Sequence, residues 1–169
     1  ALALLRRAAD FRSVRGLWVA AATLLPPCIY LVSSGVMRHS GAGAEPPALD
    51  AFRLALLFPL FLALAAGEEI GWMGYAYGRL RMRWGSLGAS LALAAPWWVG
   101  HLPSMAAIGM PAGDMAWWML GAIVLRILMS WLYNGSGGSL LAVILFHAML
   151  NLSRIAIIPG GETRYVGVY

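Results

Sequence analysis

Five long apolar runs divide this sequence, and they constrain its fold more than any other feature. Each is about 18 residues or longer, enough for an α-helix to cross the ~30 Å hydrocarbon core of a bilayer. None follows the two-residue alternation of a membrane β-strand. We therefore predict an all-α, polytopic membrane helix bundle with about five transmembrane helices. The runs cover residues 17–37, 54–78, 86–105, 116–133 and 140–158.

The composition agrees with lipid as the solvent. Hydrophobic residues make up 61% of the chain and charged residues only 11%, whereas a soluble domain carries about 25% charged residues. The net charge of +5 comes from arginines that lie mainly beside the apolar runs, which favours membrane topology over nucleic-acid binding. We expect membrane lipid as a partner and no nucleic acid.

Arginines are distributed unevenly at the ends of the apolar runs, and the positive-inside rule places the ends that are rich in arginine in the cytoplasm. It predicts a multi-pass protein of the cell membrane whose N-terminal segment and 79–85 turn are cytoplasmic. Glycine and proline predict loops at 38–50 and 102–114. We see one membrane domain, 1–169, in which 1–53 form an N-terminal helix and loop. The arginines concerned are Arg6, Arg7, Arg12 and Arg15, then Arg79, Arg81 and Arg83.

A few ionisable residues lie inside the apolar runs, where each costs at least ~2.5–3.5 kcal/mol unless it has a partner or lines a cavity. At 1.5 Å per residue, Glu68 lies ~16 Å from Arg79 and His147 ~12 Å from Ser139. Arg126 lies ~12 Å from Asn134, so three helices bring polar groups to one depth.

His101 fits this depth less well, because a straight helix from Gly85 places it ~24 Å along the axis. Tilt or a kink at Pro96 would have to bring it back to the level of the others. Its helical face is clearer, since Trp97 lies four residues before it.

Spacing also orients the remaining polar groups. His147 and Asn151 are four residues apart and share a helical face, whereas adjacent Glu68 and Glu69 point about 100° apart and need different neighbours. A carboxylate, two imidazoles and a carboxamide suit amide hydrolysis, with a general base for water and donors for the oxyanion. The alternative is that these groups only bond helices together.

Three motifs in this region resemble those of the CPBP family, the membrane proteases related to type II CAAX prenyl endopeptidases and to bacteriocin-processing and immunity proteins. The resemblance covers about 54–158, which we interpret as a protease-like core. The motifs are Glu68-Glu69-Ile70-Gly71-Trp72 followed by Met73, Trp97-Trp98-Val99-Gly100-His101, and His147-Ala148-Met149-Leu150-Asn151.

The resemblance implies an intramembrane endopeptidase acting on a peptide or membrane-protein substrate. Glu68 and His101 would activate the water, while His147 and Asn151 would hold the oxyanion. Glu69 would be structural, with Trp97 as a supporting residue beside His101. No cofactor is required by this scheme, although a zinc ion held by Glu68, His101 and His147 would have the three protein ligands of a catalytic site.

The sequence departs from the first motif at Met73, where the family has an arginine that pairs with the second glutamate. A buried carboxylate without a counter-charge is strongly unfavourable. We predict that Arg126 is the partner of Glu69, because their depths agree within a helical turn; the alternative is that Arg126 extends to the interface or caps backbone carbonyls.

Two other functions compete with proteolysis. The first is a catalytically silent binding, immunity or scaffold protein, which Met73 favours. The second is a proton or ion carrier, because chains of Glu and His also relay protons. The substrate and the oligomeric state cannot be derived from the sequence.

Overall fold

The computed structural model describes residues 2–10, 14–41, 47 and 50–158, and these residues form helices without a strand. A short helix precedes the long ones, and a π-helix interrupts the path between the third and the fourth. The helices are α1 (Leu2–Ala8), α2 (Gly16–His39), α3 (Ala51–Glu69), the π-helix (Ile70–Ala76), α4 (Tyr77–Ala107), α5 (Ala112–Gly135) and α6 (Leu140–Ile157).

The predicted all-α membrane bundle is confirmed. Within the described residues, four helical stretches are long and apolar enough to cross a membrane, and the longest, Ala51–Ala107, contains two of the predicted spans. Gly85 divides that stretch, because its φ of 69° and ψ of −179° are not helical. The chain is therefore a multi-pass membrane protein with close to five spans.

Two predicted connections are shorter in the structure. The 79–85 turn shrinks to Gly85, because the Arg- and Met-rich residues before it continue the helix. The predicted loop at 102–114 shrinks to residues 108–111, since α4 continues past Pro103 and Gly109 makes the turn with a φ of 71°. Within the predicted loop at 38–50, residues 42–46, 48 and 49 lie outside the described part of the chain.

Helix α6 lies at the centre of the bundle. It packs mainly against α2 and α3, and most of its residues are buried. The side chain of Ser139 caps its first turn by accepting a hydrogen bond from the Ala142 N–H at 3.3 Å. This central helix carries His147 and Asn151, so its packing fixes the depth of both.

Helices α4 and α5 form an antiparallel pair. Ser90 donates to Ser130 at 2.6 Å, and Asn134 donates to Ser86 at 3.2 Å, which sets the register near the Gly85 end. Further along, the indole of Trp98 donates to the carbonyl of Met115 at 3.0 Å. In this register the Trp97 segment of α4 faces the Arg126 segment of α5.

Candidate active site

The two adjacent glutamates stand where α3 passes into the π-helix, and their side chains have different neighbours. Glu68 is partly exposed, and its Oε2 accepts a hydrogen bond from Nε1 of Trp97 at 2.8 Å. Glu69 is fully buried. π-Helical turns are frequent at functional sites because they shift the phase of the helix. The separation predicted for the pair is confirmed.

Glu69 pairs with Arg126, as predicted. Nη1 of Arg126 donates to Oε2 of Glu69 at 2.9 Å and to Oε1 at 3.1 Å, and both side chains are 0% exposed. Arg126 therefore does not reach the interface. Its other nitrogens, Nε and Nη2, have no hydrogen-bond partner within the described residues, but its Cζ lies 4.4 Å from the ring centroid of Trp97.

His147 contacts the same carboxylate. Its Nδ1 lies 2.9 Å from Oε1 of Glu69, and an ionised carboxylate only accepts hydrogen bonds, so Nδ1 carries the proton that is donated. The ring is buried, and it stands edge-on to Trp97 with 6.0 Å between centroids. This orientation leaves Nε2 as the nitrogen available to a bound group.

His101 joins the site from α4. Its Nδ1 donates to the backbone carbonyl of Trp97 at 2.7 Å, which again leaves Nε2 available. The ring packs against both Trp97 and Trp118, with centroid distances of 4.8 Å and 4.9 Å. His101 thus lines the same cavity as the other polar groups in spite of its greater distance along a straight helix.

One cavity of about 340 Å³ connects these groups. Its lining includes the four residues predicted to be catalytic, together with Trp97, and the remaining wall is mostly apolar and aromatic. Arg126 and Glu69 stand behind this lining rather than in it. The lining residues with a hydroxyl, carboxamide or ionisable side chain are Tyr30, Glu68, His101, Ser104, His147, Asn151 and Arg154.

The cavity extends towards the 108–111 connection. Its wall there includes Ile108, Met110 and Trp117, which lie at the far ends of α4 and α5 from Gly85. The depths of the polar groups along their helices predict that this cavity is reached from the cytoplasmic half of the membrane, and this route of access stays a prediction.

The one close group of possible zinc ligands among the described residues has two free members rather than three. Ligand atoms of Glu68, Glu69 and His147 lie within 4.8 Å of one another, and His101 is outside this group of described residues. However, both oxygens of Glu69 are hydrogen-bonded to Arg126, and the Nδ1 of His147 is bonded to Glu69. Within this group only Glu68 and Nε2 of His147 stay free, fewer than the three protein ligands of catalytic zinc sites. Nε2 of His101 is also free, but it lies outside the group.

Comparison with known proteins identifies the family. The model of the type II CAAX prenyl endopeptidase Rce1-like family matches residues 50–153, which is more than half of the chain and contains all three motifs. The chain belongs to this Rce1-like family. It is also similar to "CAAX prenyl protease 2" of Methanococcus maripaludis, with 26% identity over 119 residues, 66% of this chain and 44% of the relative. The chain thus spans less than half the length of that curated relative.

Membership of the Rce1-like family agrees with the predicted intramembrane protease at the level of a CAAX protease-type hydrolase. The predicted site residues all lie within the matched range, and the structure brings them together. Their individual roles remain a prediction.

Two contacts around the Rce1-like site escaped the sequence analysis. The first is the hydrogen bond between His147 and Glu69, which required the rotation of α6 against α3 to be known. The second is the hydrogen bond from Trp97 to Glu68. A signal for it existed, because an indole N–H buried in a membrane needs an acceptor, and Trp97 shares a helical face with His101.

Proposed function

We propose that this chain is an intramembrane endopeptidase that hydrolyses a peptide bond in or next to the membrane. The observation that carries the proposal is the meeting of Glu68, His101, His147 and Asn151 around one cavity. Family membership supports a hydrolase of this type. The apolar walls of the cavity suit a substrate segment that is itself apolar.

In the proposed reaction Glu68 and His101 activate a water molecule. The indole of Trp97 holds one carboxylate oxygen of Glu68, and the other, Oε1, has no protein partner within the described residues and can accept a proton. Glu68 takes one proton as the water oxygen attacks the carbonyl carbon. It then delivers this proton to the leaving nitrogen as the C–N bond breaks, so that a carboxyl group and an amine result.

His147 and Asn151 would stabilise the oxyanion that forms during the attack. The carboxamide of Asn151 offers N–H donors directly. His147 already donates through Nδ1 to Glu69, so it donates through Nε2 only when the ring is doubly protonated. The ionised carboxylate of Glu69 is then the counter-charge of that ring, and Arg126 holds the carboxylate in place.

The proposed reaction needs no metal ion. Glu69 is hydrogen-bonded to Arg126, and Nδ1 of His147 is hydrogen-bonded to Glu69, so the close group of Glu68, Glu69 and His147 keeps two free ligands rather than three. Glu68, His101, His147 and Asn151 supply a base and oxyanion donors without one.

We further propose that the protein resides in the cell membrane with its N-terminal segment in the cytoplasm. The arginines that precede α2 and those that precede Gly85 support this orientation. In this orientation the 108–111 end of the cavity faces the non-cytoplasmic side.

The main rival is a catalytically silent binding protein, which Met73 favoured. Arg126 weakens this alternative, because it supplies the counter-charge that position 73 lacks. A proton carrier is a further alternative. The mostly apolar wall of the cavity favours binding of a substrate segment over proton transport, which needs a continuous row of groups that exchange protons.

The test is cleavage by the purified protein in lipid bilayers. The name of the similar protein makes a farnesylated peptide ending in a CaaX sequence the first substrate, beside the same peptide without the lipid and an unrelated apolar peptide. Mass spectrometry in ¹⁸O-labelled water should find one product whose new carboxyl group carries one ¹⁸O. Binding of these peptides by folded protein without cleavage would contradict the proposal and favour the silent rival.

A further inference from the structure

Arg126 has contacts on two sides, and each leads to a different part of the site. On one side its Nη1 binds Glu69, whose Oε1 in turn contacts His147. On the other, its guanidinium lies 4.4 Å from the ring of Trp97, whose N–H holds Glu68. Arg126 itself is 0% exposed and does not line the cavity.

We propose that Arg126 is a positioning residue that orients both the base and the oxyanion donor from behind the cavity. Through Glu69 it fixes the His147 ring, and through the Trp97 indole it fixes the carboxylate of Glu68. The kinetic consequences of this inference rest on the proposed function. The two sets of contacts, through Glu69 and through Trp97, exist whether or not the protein cleaves peptides.

The planar shape of the guanidinium explains how one arginine makes both sets of contacts, one through Glu69 and one through Trp97. Its edge donates to a carboxylate while its face packs on an aromatic ring, and lysine has no such planar group. Nε and Nη2 have no hydrogen-bond acceptor within the described residues. This side of the guanidinium instead faces aromatic rings, with its Cζ 4.4 Å from the centroid of Trp97 and 5.8 Å from that of Trp72.

The position of Arg126 on α5 distinguishes it from an arginine at position 73. Residue 73 follows Glu69 by four positions on the same helical path, so an arginine there is a neighbour of Glu69. Arg126 comes from the helix that faces Trp97, and it contacts both. An arginine moved to position 73 is therefore expected to restore the counter-charge of Glu69 without the stacking on Trp97.

The experiment compares Arg126→Lys, Arg126→Met and the double variant Met73→Arg/Arg126→Met with the wild type in lipid nanodiscs. NMR signals of two side chains report the two sets of contacts. The ring ¹⁵N signals of His147, assigned with His147→Gln, report the contact through Glu69, and the indole N–H signal of Trp97, assigned with Trp97→Phe, reports the contact with Trp97. The kcat and KM of peptide cleavage report their effect on the reaction. Arg79→Met is the matched control, because Arg79 also stacks on an aromatic ring, Tyr75, but is exposed and outside the cavity.

We expect Arg126→Lys and the double variant to keep the His147 signals and to shift the Trp97 signal, with a kcat about tenfold lower. Arg126→Met should move both signals and lower kcat about 100-fold, because misplacing catalytic groups by about 1 Å has effects of this size. KM should stay unchanged. If Arg126→Met does not fold, the other two variants carry the test.

Wild-type kcat in folded Arg126→Lys, or a lower kcat while neither resonance moves, would overturn the proposal. If the wild type cleaves no peptide, the proposed function fails, and the two resonances then decide this inference without kinetics. Resonances that stay unmoved in Arg126→Lys and in the double variant would overturn it in that case as well.

Discussion

The indole N–H of Trp97 donates to Oε2 of Glu68 at 2.8 Å and so joins the middle of α4 to the end of α3. This hydrogen bond fixes one oxygen of the proposed base and leaves the other for water. It also ties Glu68 to a ring that packs against both histidines of the cavity.

Trp97→Phe tests the role of this hydrogen bond. The substitution keeps an aromatic ring for the packing and removes the donor, so Glu68 loses its fixed orientation. We expect kcat to fall on the order of 10- to 100-fold, measured as the initial rate of cleavage at saturating substrate. Trp98→Phe is the matched control, because the N–H of Trp98 donates to a backbone carbonyl outside the cavity wall; equal losses in both variants would contradict the assignment.

Gly121→Leu tests whether the cavity holds the substrate. Gly121 lines the cavity, and a Cβ at this position meets no atom within 4 Å, so the larger side chain projects into the cavity space. We expect a higher KM or complete loss of cleavage with the fold retained. Gly113→Leu, the same change on the same helix outside the cavity wall, should behave as the wild type. Unchanged KM in Gly121→Leu would mean that substrate binds elsewhere.

Breaking the ion pair between Glu69 and Arg126 should lower the free energy of unfolding substantially. Arg126→Met leaves a buried carboxylate without its counter-charge and should lower the free energy of unfolding by about 3–5 kcal/mol. Adding Glu69→Gln should recover part of this loss, because the remaining group is then neutral. Unfolding in mixed micelles measures the four proteins of the cycle, and simple additivity of the two single changes would rule out the coupling.

Metal removal should leave the activity intact. The oxygens of Glu69 and the Nδ1 of His147 bond to protein groups, so the close group of Glu68, Glu69 and His147 has fewer free ligands than a catalytic zinc requires, and His101 lies outside this group. Cleavage rates after dialysis against a strong chelator should equal those before it. A rate that falls on chelation and returns with added Zn²⁺ would refute the metal-free mechanism.

The fold and much of the site could be predicted from the sequence, because a charged side chain inside a membrane needs either a partner or a polar cavity. The depth of Arg126 and Glu69 along their helices was enough to predict their ion pair. The adjacency of Glu68 and Glu69 was enough to predict separate neighbours.

The remaining contacts depend on how each helix is rotated about its own axis. Distances along the helix axes, which the sequence analysis used, carry no information on this rotation. The contact between His147 and Glu69 depends on how α6 is rotated about its axis against α3. Straight-helix arithmetic placed His101 too far along its axis, and only the structure, in which its ring packs against Trp97 and Trp118, shows that it lines the cavity. The direction in which the cavity extends depends on side-chain packing between α4 and α5.

The most direct test of the account is the rate of peptide cleavage by Glu68→Gln in lipid bilayers. The amide keeps the size of the side chain but cannot take the proton from water, so we expect no cleavage above background by a protein that unfolds like the wild type. Asp50→Asn is the control, because it makes the same chemical change at the N-cap of α3, where asparagine caps as well as aspartate, and it should cleave at the wild-type rate. Cleavage by Glu68→Gln at the wild-type rate would contradict the central claim that Glu68 is the base.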